Sequence, residues 1–308
     1  MGTIRFLLAF SVVFAHMNLH SQFFNNGSDA VQLFFIISGF YMFMVLKEKY
    51  VKLDRSYWYF ISNRFLRLYP IYFLILIMTI IYAFYSSKYS PNLPNKFAPY
   101  VAFWDQLDFK YIFLLGLSNL SLIGQELLVF FNYGTGPEIN QLIFRPEGKN
   151  ILTQFLFVTQ AWSLGMEFWF YLLAPFLFKT RTKSLIIITS VIIISKILFL
   201  NYYSDFYNFK YRILFFEFAL FLMGGISYNI RFRITSAPKK KVIFIAVLLL
   251  VFNLNFLTAF LALKWLTYLL FTLSIPTIFS FTKYNTFDKL LGELSYPIYI
   301  SHALIISI

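Results

Sequence analysis

Arg5 and His16 are the first residues in the chain whose types and spacing could support chemistry. They are eleven residues apart within an apolar stretch, so on an α-helix they would share one face and lie about 16 Å apart along the axis. A neutral histidine near pH 7 is the usual general base, and an arginine can hold an anionic group of a substrate. The alternative is structural, with Arg5 as a membrane-surface anchor and His16 as a hydrogen-bonded packing residue.

Arg64 and Arg67 form a second candidate pair, three residues apart on one helical face. They precede Pro70, which we expect in the first turn of a membrane helix. Two guanidinium groups at a helix entrance suit a phosphate, because each can donate paired hydrogen bonds to its oxygens. The alternative is that they only add positive charge at the cytoplasmic surface, where they would contact lipid phosphates.

Ser163, Glu167 and Tyr171 follow one another at intervals of four and predict a polar stripe along an otherwise aromatic helix. Glu167 could orient a histidine, as the acid of a hydrolase triad does. It could equally form a structural ion pair within a helix bundle, and the pattern does not choose between the two.

A few other ionisable residues also lie in apolar stretches. Glu217 and His302 are candidate supporting residues, since charge inside a span is costly and usually functional. Lys264 is near the edge of a stretch, where its long side chain should reach the membrane surface. A metal site is not expected, because the chain has three histidines and no cysteine.

The composition indicates what kind of element must position these residues. Of the 308 residues, 59% are hydrophobic and 13% charged, whereas a soluble domain is about 45–50% apolar and about 25% charged. These values exclude a disordered chain, a fibrous protein and a nucleic-acid-binding module. The absence of cysteine excludes disulfides, thiolate ligands and a cysteine nucleophile. The chain is therefore predicted to be a polytopic membrane protein.

The apolar residues fall into stretches of roughly the length that spans a bilayer. In lipid only helices and closed barrels satisfy every backbone group, and these stretches are too long and too evenly apolar for barrel strands. The predicted fold is an all-α membrane helix bundle that forms a single domain over residues 1–308. The chain ends at Ile308, soon after the last stretch begins, which predicts a truncated final helix. The ten predicted helices are 4–19, 30–46, 66–86, 111–130, 155–178, 184–202, 212–230, 241–259, 264–282 and 293–308.

Basic residues predict the orientation. The segment 47–67 contains six lysines and arginines, so it and the N-terminus should be cytoplasmic. If 111–130 spans the membrane, the basic clusters at 179–183 and 231–241 fall outside, against this rule. If 111–130 is re-entrant or lies in the interface, both clusters return to the cytoplasm, and its polar residues favour that alternative.

Five stretches, taken in order, resemble acyltransferase family 3, the bacterial integral-membrane O-acyltransferases. Each motif is moderately specific, and together they cover nearly the whole chain. They are Ile4–His16 (IRFLLAFSVVFAH), Val31–Phe40 (VQLFFIISGF), Arg64–Pro70 (RFLRLYP), Trp162–Pro175 (WSLGMEFWFYLLAP) and Gly292–His302 (GELSYPIYISH).

The resemblance implies a ten-helix enzyme of the bacterial cytoplasmic membrane that uses acetyl-CoA or a similar thioester as co-substrate and has no resident cofactor. The acceptor would be a sugar hydroxyl on a cell-surface polysaccharide or its lipid-linked precursor. His16 matches the family's essential histidine and Arg5 its partner, while Arg64 and Arg67 match the donor-binding positions. The last-helix motif adds Ser295, Tyr296 and His302 as supporting residues.

A transporter or flippase for a lipid-linked glycan is the alternative function. It would also be a bundle with few charges, and its partners would be membrane lipids and the saccharide. Such proteins more often contain internal repeats and interrupted helices at matching positions. This sequence shows neither feature, which favours the transferase.

Overall fold

The computed structural model describes residues 1–17, 26–51, 53, 55–89, 95–103, 107–133, 142–144, 152–203, 210–234 and 261–307. This part of the chain is almost entirely helical. Its helices are α1 (Gly2–His16), α2 (Gly27–Val45), α3 (Ser56–Tyr89), α4 (Ala98–Ala102), α5 (Phe109–Ser121), α6 (Trp162–Leu177), α7 (Thr182–Tyr202), α8 (Leu214–Ile234), α9 (Leu261–Thr282) and α10 (Thr286–Ser307).

Short elements connect some of these helices. A π-helical turn, Leu46–Tyr50, extends α2, and 3₁₀ turns cover Leu128–Phe130, Leu152–Phe155 and Thr159–Ala161. The strands β1 (Phe131–Tyr133) and β2 (Leu142–Phe144) pair in antiparallel fashion, with Phe131 opposite Phe144.

The chain forms two compact units. Unit 1 contains Met1–Ser62, Phe170–Lys196 and Phe215–Tyr299, and unit 2 contains Asn63–Trp169, Ile197–Leu214 and Ile300–Ile308. The sequence predicted one domain, and this division into units does not test that prediction.

Four described helical segments are long and apolar enough to cross a membrane: Gly27–Tyr50, Ser56–Tyr89, Thr182–Tyr202 and Leu263–Thr282. The helical, membrane-type fold agrees with the prediction, but the count of about ten spans is not confirmed. The predicted helix 241–259 lies outside the described residues.

Three predicted helix boundaries are corrected by the structure. Helix α5 has 13 residues, about 20 Å, which is too short to span and fits the non-spanning alternative for 111–130. Helix α10 begins at Thr286, seven residues before the predicted start at 293, and has 22 residues. Helix α3 begins at Ser56, so Pro70 lies inside the helix and not in its first turn.

Close backbone contact joins α2 to α8 in unit 1. A Cβ added to Gly39 would lie 2.0 Å from the carbonyl oxygen of Phe221, and one added to Gly224 would lie 2.0 Å from that of Ile36. Only glycine permits this approach, because any larger side chain would push the backbones apart. These glycines therefore serve helix packing.

Basic residues collect at one end of unit 1. Lys47 near the end of α2 donates to Asn229 near the end of α8 at 2.7 Å. The ring of Tyr57 at the start of α3 lies 5.7 Å from that of Phe176 at the end of α6. The turn that carries Lys179 therefore lies at the same end of unit 1 as Lys47, as the non-spanning alternative for 111–130 required.

Unit 2 has its own apolar core, built from α5 and the residues that follow it. Its buried members are Leu107, Tyr111, Leu115, Leu128, Leu152, Phe155 and Leu156. Burial of this cluster holds α5 inside the unit, which explains how a short helix with several polar residues is stabilised.

Candidate functional site

Helix α1 carries both Arg5 and His16, as predicted, and belongs to unit 1. Its start is fixed by the carboxylate of Asp288 in the first turn of α10. That carboxylate accepts hydrogen bonds from the backbone N–H groups of Gly2 at 2.8 Å and Thr3 at 2.9 Å. These are donors that a helix start otherwise leaves unsatisfied. Asp288 therefore sets the position of α1, and with it that of Arg5 and His16.

His16 lies at the end of α1 and is exposed. Its Nδ1 is 2.8 Å from the carbonyl oxygen of Val12. A carbonyl can only accept, so in the neutral ring Nδ1 carries the proton and Nε2 carries the lone pair. The backbone thus selects the tautomer that a general base needs. The sequence had suggested that an acid such as Glu167 would orient the histidine.

Arg64 and Arg67 lie on α3 within unit 2. They are eight and eleven residues after Ser56, so they lie inside the helix and not at its entrance. The side chain of Arg64 is buried, whereas that of Arg67 is exposed. A buried and an exposed guanidinium on neighbouring turns could hold an anion that reaches partly into the unit.

Ser163 and Glu167 lie on the part of α6 that belongs to unit 2, and Tyr171 lies on the part in unit 1. Ser163 is buried and its hydroxyl donates to the carbonyl oxygen of Gln160 at 3.3 Å. Glu167 is half-buried. Tyr171 is buried and its ring lies 6.3 Å from that of Phe60.

The last-helix motif is divided between the units. Ser295 and Tyr296 belong to unit 1, where the hydroxyl of Ser295 donates to the carbonyl oxygen of Gly292 at 2.7 Å. His302 is buried in unit 2. Gln160, which precedes α6, donates to the carbonyl oxygen of Ile300 at 2.6 Å. Unit 2 therefore brings the segment with His302 next to the start of the Ser163 helix.

Glu217 belongs to a buried polar network in unit 1 that the sequence did not reveal. Its carboxylate accepts from Lys196 Nζ at 2.5 Å and from Gln32 Nε2 at 2.9 and 3.0 Å. The Gln32 oxygen in turn accepts from the hydroxyl of Tyr268 at 2.6 Å. These partners favour a structural role for Glu217.

Lys264 completes the same network. It forms an ion pair with the buried carboxylate of Asp29, whose Oδ1 is 3.3 Å from the hydroxyl of Tyr268. The predicted position of Lys264 at the membrane surface stays a prediction, and its ammonium group is held by an acid in the first turn of α2. The network therefore contains two cations and two anions and joins α2, α7, α8 and α9.

One sequence signal could have revealed this network. Lys196 lies in the middle of the apolar stretch 184–202, and an isolated lysine there would be too costly to bury. It therefore implied an acidic partner at a similar depth. Glu217 and Asp29 are acids near the starts of apolar helices, but the sequence does not say which helices are neighbours.

Metal binding was not expected from the sequence. In the part of the chain that the structure describes, no group of three or more histidine, aspartate and glutamate side chains could hold a metal ion.

The chain matches the family Acyl_transf_3, described as an acyltransferase domain, over residues 2–308. It therefore belongs to this family of acyltransferases, and the resemblance seen in the five motifs is confirmed. Neither the curated proteins nor the solved structures give a match to this chain. The apolar helices and the family together define a multi-pass membrane acyltransferase, and they do not favour the transporter.

Proposed function

We propose that this acyltransferase is an O-acetyltransferase of the bacterial cytoplasmic membrane. It takes the acetyl group from acetyl-CoA and transfers it to a sugar hydroxyl of a cell-surface polysaccharide or of its lipid-linked precursor. The observation that carries the proposal is the tautomer of His16, since the bond from Nδ1 to Val12 leaves the basic lone pair on Nε2.

The donor site is assigned to Arg64 and Arg67 on α3. CoA carries several phosphates, and arginine binds phosphate through two parallel hydrogen bonds. Buried Arg64 would hold a phosphate inside unit 2, and exposed Arg67 would contact one at its surface. Arg5, on the helix that carries His16, is a further candidate for the donor.

His16 acts as the general base in the transfer. Its Nε2 takes the proton of the sugar hydroxyl while the hydroxyl oxygen attacks the thioester carbonyl carbon. The tetrahedral intermediate then expels the CoA thiolate, which receives the proton and leaves as free CoA. Base catalysis of this kind contributes about 10²–10⁴-fold. Glu167 and Ser163 are assigned supporting roles through hydrogen bonds, and Tyr171, Ser295, Tyr296 and His302 are further supporting candidates.

An acyl-enzyme relay is the second form of this mechanism. His16 Nε2 would attack the thioester itself, and the acetyl group would stay on the imidazole until the sugar hydroxyl takes it. Both forms release one CoA per acetyl group. They differ in whether the protein carries a covalently bound acetyl group before the acceptor binds.

The test compares the wild-type protein with His16→Ala in detergent or vesicles, with acetyl-CoA and crude bacterial surface glycan. Because the chain has no cysteine, a thiol reagent measures the released CoA without a background from the protein. We expect His16→Ala to lower CoA release at least about 100-fold. Met17→Ala is the matched control, since Met17 is the next residue and is also exposed.

Several results would decide between the alternatives. Full activity in His16→Ala would remove the histidine from the mechanism. Labelled acetyl groups that stay on the wild-type protein, but not on His16→Ala, would favour the relay. Arg67→Ala should raise the KM for acetyl-CoA more than it lowers kcat, and an unchanged KM would contradict the donor site.

A further inference from the structure

Four buried polar side chains lie between Ser118 and Glu126, where α5 ends and the chain turns. They are Ser118, Asn119, Gln125 and Glu126, and each is at most 5% exposed. We call residues 118–126 the linking segment. Buried polar groups are costly unless they form hydrogen bonds, so the partners of these side chains indicate what the segment does.

The linking segment binds α3 through Tyr72, which is fully buried. The hydroxyl of Tyr72 donates to the backbone carbonyl of Asn119 and accepts from Gln125 Nε2 at 2.9 Å. Gln125 Nε2 also donates to the carbonyl oxygen of Ser118 at 2.9 Å. Tyr72 is five residues, or about 7.5 Å, beyond Arg67 on the same helix.

The linking segment also binds α6. Trp169 Nε1 donates to Glu126 Oε1 at 2.8 Å. A Cβ added to Gly165 would lie 2.6 Å from both Glu126 Oε2 and the carbonyl oxygen of Leu122. The absence of a side chain at Gly165 therefore lets the linking segment lie directly against the helix.

These contacts use one face of α6 and leave the other to the candidate site. Gly165 and Trp169 are four residues apart and share a face. Ser163 and Glu167 are each two residues from Gly165, a rotation of about 200°, and so lie on the opposite face.

The chain that leads into α6 is held by the same segment. The backbone N–H of Phe157 donates to Asn119 Oδ1 at 3.0 Å, and Asn119 Nδ2 donates to the carbonyl oxygen of Phe155 at 3.2 Å. The linking segment thus has hydrogen bonds to α3, to α6 and to the chain that precedes α6, all within unit 2.

We propose that Gln125 and Glu126 are positioning residues for the acyl transfer. The bond between Gln125 and Tyr72 fixes the part of α3 that presents Arg64 and Arg67 to the donor. The bond between Glu126 and Trp169 fixes the rotation of α6 about its axis, and with it the direction of the opposite face, which carries Ser163 and Glu167. This inference rests on the proposed function, because it assigns those four residues to the donor and the chemistry.

Glu126 serves here as a hydrogen-bond acceptor. Among the described residues no lysine or arginine lies within ion-pair distance of it, and its one side-chain donor is Trp169. A glutamine oxygen can accept the same indole hydrogen bond, so Glu126→Gln should keep the function that Glu126→Ala loses.

The experiment measures the Kd for acetyl-CoA by calorimetry and kcat with crude bacterial surface glycan as acceptor. Tyr72→Phe and Gln125→Leu each remove the bond between Gln125 and Tyr72 together with one further bond of the linking segment. Each should raise the Kd about threefold to tenfold and should change kcat less than twofold. Glu126→Ala and Trp169→Phe should lower kcat by a similar factor with little change in Kd, and Glu126→Gln should restore it.

Thr79→Val is the matched control on α3. Thr79 is also buried, but its hydroxyl donates only within the helix, to Ile75 at 2.7 Å. An equal rise in Kd for Thr79→Val and Tyr72→Phe would overturn the proposal, and so would a joint loss of kcat and Kd in all four variants. Tyr72→Phe combined with Gln125→Leu should raise the Kd by less than the product of the two single effects, because both substitutions remove the bond between Gln125 and Tyr72.

Failure of the proposed function gives a different result. If wild-type protein binds and turns over acetyl-CoA but Arg67→Ala and Glu167→Gln behave as wild type, the assigned site is wrong. If those two variants are impaired and the linking-segment variants are not, the site stands and the positioning role is wrong.

Discussion

The ion pair between Lys196 and Glu217 offers a quantitative test of how unit 1 is held together. The perturbation is a double-mutant cycle with Lys196→Met, Glu217→Leu and the two combined. Both side chains are almost completely buried, at 7% and 0% exposed, and their charged atoms are 2.5 Å apart. Each single variant leaves the other charge in an apolar interior with only part of its hydrogen bonds.

The magnitude follows from the distance and the burial. With an effective dielectric constant of about 20, two charges 2.5 Å apart attract by about 7 kcal/mol. Desolvation of both groups offsets most of this, so the net contribution of the intact pair is small. Removal of one partner is different, because the remaining charge keeps its desolvation cost, and it should lower the free energy of unfolding by about 3–5 kcal/mol. The double variant should lose less than either single variant.

The assay is unfolding in mixed micelles with increasing denaturing detergent, followed by tryptophan fluorescence. Trp265 is a local reporter, because Lys196 Nζ lies 5.7 Å from the centre of its ring. The control cycle uses Lys289 and Glu293, an exposed pair 3.9 Å apart, for which coupling below about 1 kcal/mol is expected. Single variants as stable as wild type, or a double variant whose loss equals the sum of the single losses, would refute the reasoning.

Two further predictions concern packing and topology. Gly39→Ala should prevent stable folding, because its Cβ would meet the backbone of Phe221. Gly116→Ala should be tolerated, since nothing lies within 4 Å of a Cβ at that position. Gel filtration of both variants measures this difference, and equal behaviour of the two would contradict the prediction. Single cysteines at Lys183 and Tyr202, near the two ends of α7, should label with an impermeant maleimide from opposite sides of the membrane, with Lys183 cytoplasmic. Labelling of the Lys183 position from the outside would contradict the assignment of 111–130 as non-spanning.

The five motifs could be read from the sequence because each one is local. Arg5 and His16 share one helix, as do Arg64 and Arg67, and their spacing alone places each pair on a helical face. The membrane-type helical fold also followed directly, because apolar stretches of this length have no other stable form in lipid. The family match over residues 2–308 agrees with both inferences.

Helix boundaries were less predictable, because apolar composition marks the part of a helix in lipid and not its ends. Helix α3 starts at Ser56 and α10 at Thr286, each several residues before the apolar stretch begins. Polar residues continue these helices beyond the hydrocarbon, where hydropathy no longer reports on structure. The same reason explains why Pro70 was placed in a first turn.

The role of 111–130 could be inferred only from the sequence and the tertiary structure together. Its polar residues and the positive-inside rule together pointed to a segment that does not span, but they gave it no task. In the structure Gln125 and Glu126 bind Tyr72 and Trp169, which are far away in sequence. Contacts between distant segments are set by packing, so no local pattern could name these partners.

The sequence by itself determined the class of fold, the family and the residues that could carry the chemistry, since these depend on composition and on spacing within single helices. Only the tertiary structure decided which charges pair. Lys196 finds Glu217 on the next helix, and Lys264 finds Asp29 at the start of α2. Such pairs form because a buried charge needs an opposite charge at its own depth, and depth and neighbourhood exist only once the helices have packed.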